Sequence, residues 1–112
     1  NTLDRGTEGI MAFSHMHGLI PRLGFFVGNE SRIPYDFDEL LASIAPRPAL
    51  VIAPKFDKDA HHQDIVNCVG EAEKIYDLLG SPSNILLYSP VDMNRFSPEM
   101  QEKSVEWIMD KF

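Results

Sequence analysis

The chain has a single cysteine, Cys68, so no disulfide can close within its 112 residues and the fold must rest on packing or on a partner. No apolar run approaches the ~18 residues that a membrane-spanning helix needs, and no charged-then-apolar leader opens the chain. It starts at Asn1 rather than Met, which leaves an earlier leader open. Basic residues are scarce: 10 Lys and Arg stand against 17 Asp and Glu, for a net charge of −7. They are also scattered, so no basic stripe exists to neutralise phosphates, and neither nucleic acid nor membrane is an expected partner. Internal repeats and low-complexity segments are absent too. What remains, 44% hydrophobic and 24% charged residues, is the ordinary balance of one small globular domain.

Residues 1–33 read as an irregular apolar segment, a lid or packing element. Thr7 to Met16 predicts a short helix with an imperfect apolar stripe of Ile10, Met11, Phe13 and Ser14. Gly18, Pro21, Gly24 and Gly28 then break the chain repeatedly, while Leu19, Ile20, Leu23, Phe25, Phe26 and Val27 supply unpatterned apolar bulk. Such a segment is expected to pack over the rest of the domain or over another surface.

From Pro34 the pattern sharpens. Asp36 with Glu39 has the spacing of a capping box, and Tyr35 with Leu40 that of a hydrophobic staple across it. The helix they open presents Phe37, Leu40, Leu41 and Ile44, and Pro46 ends it near Ala45. Next comes a proline-bounded apolar run, Ala49 to Ala53, expected as a strand buried on both faces of a parallel sheet. Asp64 is placed to cap a second helix with Ile65, Val69, Ala72, Tyr76 and Leu79 inside and Gly80 as its stop. Asn84 to Tyr88 predicts a second strand. Ser97-Pro98 then opens a last helix carrying Met100, Ser104, Trp107, Ile108 and Phe112 on one side. The order helix, strand, helix, strand, helix is an α/β arrangement around one parallel βαβ unit. Two strands leave both sheet edges open, so the sheet is incomplete as it stands.

The loop after the first strand carries Asp57 and Asp59. Ligands of open α/β sheets bind beyond the carboxyl ends of the strands, which makes this loop a candidate site. Residues 34–50, P-Y-D-F-D-E-L-L-A-S-I-A-P-R-P-A-L, followed by the strand and Asp57, resemble the C-terminal third of α/β-hydrolases. The likeness is to the dienelactone-hydrolase and acetyl-xylan-esterase branch, and it covers residues 34–112. It implies a C-terminal α/β-hydrolase segment, carboxylic-ester hydrolysis through an acyl-serine, and no cofactor or metal. It makes Asp57 the equivalent of the family acid. It also sets the loop Pro90 to Pro98 where that family carries its histidine, and there this chain reads Asn94-Arg95-Phe96. Asparagine takes up no proton near neutral pH and cannot be a general base. No G-x-S-x-G occurs in the 112 residues, and the nearest imitation, Gly80-Ser-Pro-Ser-Asn84, lacks the second glycine. The chain alone is therefore expected to be inactive. The missing part of such a domain, or a second copy of the chain, is the expected partner, and a self-associating scaffold is the alternative.

Other residues invite blander readings. His15/His17 and His61/His62 lack the i, i+4 spacing of helical metal ligands and are expected on the surface. Arg47 and Arg95 are expected in ion pairs with carboxylates, an anionic ligand being the alternative. Cys68 is expected as an inert thiol on a packed helix. An amide hydrogen bond from Asn94 to Asp57 is a further possibility that would join the two loops.

Overall fold

The computed structural model describes residues 23–26 and 28–112. The helix expected over 7–16 and the His15/His17 pair lie outside the described residues. The chain divides into two compact units, 1–36 and 37–112.

In the first unit, Leu23–Phe26 and Glu30–Arg32 form short 3₁₀ turns. Gly28 joins them with φ +79°, a conformation open to glycine because it has no Cβ. Asn29 N–H donates to the Phe26 carbonyl at 2.7 Å and Arg32 N–H to the Asn29 carbonyl at 2.9 Å. The Phe25 ring is exposed.

The second unit holds the elements that position the site. Helix α1 spans Phe37–Ala42 and starts directly after the expected cap, Asp36. Strand β1 is Ala49–Ile52, α2 is His62–Leu78, β2 is Ile85–Tyr88 and α3 is Pro98–Lys111. The two strands pair in parallel, with Ala49 opposite Ile85 and Ile52 opposite Tyr88. This is the helix–strand–helix–strand–helix order read from the sequence.

The core forms where α2 crosses the strands. Ala49, Val69, Ala72, Tyr76 and Ile85 are buried together, with Leu41, Ile44, Ile65 and Leu87 packed around them. Val69, Ala72 and Tyr76 fall three and four residues apart and so share one face of the helix. Tyr76 carries its hydroxyl into this core and donates it to the Arg47 carbonyl at 2.9 Å. Burial raises the Tyr76 phenol above its ordinary value, against an opposing pull from the Arg47 charge. The Asn84 amide donates to the Pro46 carbonyl at 2.8 Å, so the turn before β1, with its cis Ala45–Pro46 bond, is held from two sides. Helix α2 ends in a Schellman motif: Ser81 N–H reaches the Tyr76 carbonyl, Gly80 N–H reaches Asp77, and Gly80 sits at φ +69°.

Several sequence expectations are corrected. Asp64 does not cap α2, because the helix begins earlier, with His61 as its cap residue. Asp64 stands in the first turn, where a carboxylate still favours the helix dipole. Leu79, expected inside, is the C-cap and is exposed, since the helical register ends at Leu78. In α1 the C-terminal half meets the core through Leu41 and Ala42, leaving Phe37 and Leu40 exposed. The strands are not buried throughout: Ala49 and Ile85 are, but the following residues are half-buried, as two strands shield each other on one edge only.

The last helix is capped as expected, Met100 N–H reaching Ser97 Oγ at 3.4 Å with Pro98 in the first turn. Its inner side is narrower than predicted. Met100 is 1% exposed and Trp107 half-buried, with the Lys111 ammonium 4.9 Å from the ring centroid. Ile108 and Phe112, placed inside from the sequence, are 55% and 90% exposed. With Val105 and Met109 they form an outward apolar stripe at helical spacing.

Candidate functional site

The pairing of the strands continues past their carboxyl ends into the loops. Ala53 N–H donates to the Tyr88 carbonyl and Lys55 N–H to Pro90, each at 2.9 Å. Phe56 N–H donates to the Asp92 carbonyl at 3.0 Å, and Phe56 and Met93 form an isolated parallel bridge. Between Ile52↔Tyr88 and Phe56↔Met93 the β2 side holds one residue more than the β1 side, so its loop bulges locally. Asp57 and Asn94 each follow a bridge residue, and the structure thus sets them in the same register at the ends of neighbouring strands.

They are not joined. The half-buried Asp57 turns back on its own loop, its Oδ1 accepting from Asp59 N–H at 2.8 Å while its own N–H donates to Pro54 at 3.2 Å. This is an Asx turn, the local bond that short carboxylate side chains favour. Asn94 is exposed, and among the described residues the hydrogen bond from Asn94 to Asp57 does not form.

Among the described residues, the loop carboxylate with the most hydrogen bonds is Asp92, a residue the sequence did not single out. Arg95 Nε donates to both of its oxygens, at 2.8 and 3.0 Å, and Met93 N–H donates to Oδ1 at 2.8 Å. The Arg95 bond, then the Met93 amide, hold the Asp92 carboxyl below its ordinary value. The available signal was the D-x-x-R spacing directly after a strand, a turn-forming aspartate with a cation within reach. Nearby, the Tyr88 hydroxyl donates to Glu99 Oε1 at 2.5 Å, tying the end of β2 to the first turn of α3. That bond raises the Tyr88 phenol, with burial and the Glu99 charge acting the same way.

The family model of fungal glucuronyl esterases matches residues 11–80. The chain belongs to this family. The family is one of serine esterases of the α/β-hydrolase type, in agreement at this level with the likeness read from residues 34–50. No curated protein and no solved structure matches it. The match takes in β1, the Asp57 loop and α2 and ends at Gly80, before β2 and the Asn94 loop.

Several of the remaining residues of this glucuronyl esterase-family chain have structural partners. Arg47, expected in an ion pair, instead donates Nε to the Ile44 carbonyl at 3.2 Å, because its own turn brings that carbonyl to it. Arg95 does pair with a carboxylate, but its side chain stands mostly in solvent. His61 Nδ1 lies 3.5 Å from Asp64 Oδ1 across the first turn of α2. His62 is half-buried, with its Nδ1 unpartnered. Among the described residues, no group of three or more His, Cys, Asp or Glu is placed to hold a metal. Cys68 is half-buried on α2, and Glu71 pairs with Lys74 on its solvent face. A carboxylate at a strand end, with a parallel neighbour loop alongside, can orient a base delivered there.

Proposed function

We propose that this chain is the acid-bearing part of a serine carboxylic-ester hydrolase that acts on a carbohydrate ester, with a glucuronyl group as its acyl side. The observation carrying this reading is the bridged pair of strand-end loops, with Asp57 and Asn94 next to Phe56 and Met93, inside a chain of the glucuronyl esterase family. The likeness of residues 34–50 to dienelactone hydrolases and acetyl xylan esterases supports the same chemistry. In that chemistry a serine oxygen adds to the ester carbonyl, the alcohol leaves with a proton from an imidazolium, and water then releases the acid. Asp57 takes the role of the carboxylate that orients the imidazole and stabilises its charge. Asn94 is non-catalytic, since its amide neither accepts nor releases a proton at neutral pH. With no G-x-S-x-G in its 112 residues and asparagine at the base position, the chain alone is inactive.

Hydrolysis of p-nitrophenyl acetate by the purified chain tests this. No turnover above buffer is expected. Turnover that disappears in Asp57→Ala overturns the inactivity. An in-frame G-x-S-x-G in the coding sequence upstream of Asn1 supports the assignment to a larger esterase, and a stop codon there contradicts it.

A second reading has an observation of its own. The outward stripe of Val105, Ile108, Met109 and Phe112 favours a self-associating module that covers this face with a second copy.

A further inference from the structure

Asp92 bonds to both strand-end loops, through its backbone to one and through its side chain to the other. Its carbonyl accepts from Phe56 N–H, the residue before Asp57. Its carboxylate accepts from Met93 N–H and from Arg95 Nε, the two residues that flank Asn94. The loop is tightened further by Asp92 N–H to the Pro90 carbonyl at 3.0 Å and Arg95 N–H to the Met93 carbonyl at 2.8 Å. The Asp92 side chain is only 16% exposed, whereas that of Arg95 is 64% exposed. The carboxylate is thus seated in the loop, and the guanidinium closes over it from the solvent side.

We propose that Asp92 and Arg95 are a positioning pair, whose ion pair fixes where the side chain at position 94 stands relative to the Asp57 carboxylate. The inference rests on Asp57 being the acid-equivalent position and adds the device that holds the facing loop in register. Neither residue contacts substrate in this role. The extra residue on the β2 side offsets the pairing by one position between the Lys55–Pro90 and Phe56–Asp92 bonds, so the backbone ladder holds this part of the loop less firmly than an unbroken register would. The pair limits that freedom by bonding the Met93 backbone amide and the Arg95 side chain, on either side of Asn94, to one carboxylate. A charged fork is suited to this, being more directional and stronger than a neutral bond.

The test uses the intact chain with N94H, whose imidazole is a proton-sensitive probe at position 94. Its pKa is read by NMR titration, with and without D57N. In N94H, removing the Asp57 charge is expected to lower the imidazole pKa by about 0.3 or more, the size of a carboxylate's pull across a few ångströms of partly solvated space. The same comparison is then made in N94H/D92N/R95Q, where both charges of the pair are removed together and the net charge is unchanged. There the effect of D57N should fall below about a third of its former size, because the imidazole no longer keeps its place. Amide spectra establish that each variant is folded, and hydrogen exchange at the Phe56 amide reads the loop contact directly, with faster exchange expected when the pair is gone. If the D57N effect survives the loss of the pair and Phe56 exchange is unchanged, the positioning role is overturned and the Asp57 assignment stands. If D57N has no effect even in N94H, position 94 does not sense Asp57, and both the positioning role and the acid assignment fall.

Discussion

The hydroxyl of Tyr76 donates to the carbonyl oxygen of Arg47 at 2.9 Å, joining the buried face of α2 to the turn that feeds β1. The ring is fully buried, so the bond lies between the core and a loop 29 residues away in sequence. Tyr76→Phe keeps the ring and removes the bond, and should destabilise the fold by about 0.5–1.5 kcal/mol. Tyr76→Ala also empties the core and should cost about 3–5 kcal/mol. Urea denaturation separates them, and equal losses would contradict a distinct role for the hydroxyl.

Two glycines should respond in opposite directions. Gly80 sits at φ +69° in the Schellman turn, where an L side chain is strained, so Gly80→Ala should destabilise by about 1–2 kcal/mol. Gly70 lies inside α2 with nothing within 4 Å of an added Cβ. Gly70→Ala should stabilise by about 0.5–1 kcal/mol, as alanine loses less backbone freedom on folding. Thermal melts of both variants check the signs.

Stability should respond to acid through Asp92. Its folded-state value lies below the ordinary 3.8 because the Arg95 and Met93 bonds favour the carboxylate. A depressed carboxyl contributes stability fully above its unfolded value and loses it as pH falls through the folded one. The wild-type chain should therefore lose more stability than Asp92→Asn between about pH 5 and pH 2. Parallel acid limbs in the two proteins would contradict the shift.

Tyr88 behaves with the reverse sign. Its phenol is raised by the bond to Glu99, so the neutral form is favoured in the folded state and that contribution disappears as pH rises through the raised value. Ultraviolet titration of the phenolates should show Tyr76 and Tyr88 ionising late, with one of the two returning toward the ordinary range in Glu99→Gln.

The apolar stripe on α3 should drive association. Sedimentation equilibrium of the chain at micromolar concentration is expected to give a mass above 12.7 kDa that falls in Ile108→Lys/Phe112→Lys. A clean monomer in the wild type would remove the self-associating reading.

Much of the scaffold was legible in the chain itself. Asp36, Gly80 and Ser97-Pro98 mark element ends through local chemistry, and the structure starts or stops helices at or near each, whereas α1 ends at Ala42, three residues short of the end expected from Pro46. Val69, Ala72 and Tyr76 declare their shared face by spacing alone. The site was only half legible. Asp57 could be proposed because it follows an apolar strand, but the bond it makes depends on how its own loop folds back. Asp92 was missed because its importance comes from a contact with Phe56, far away in sequence.

What the sequence determined by itself was therefore the alternation of elements, a likeness to esterases of the α/β-hydrolase type and the absence of a serine elbow from these residues. Such features depend on periodicity, caps and residue type, which act over a few neighbouring positions. Only the tertiary structure decided that the loops of β1 and β2 are bridged, that Asp92 rather than Asn94 links them, and that Ile108 and Phe112 face outward. Those outcomes depend on strand register and on which surfaces other elements cover. Both are set by long-range packing rather than by local pattern.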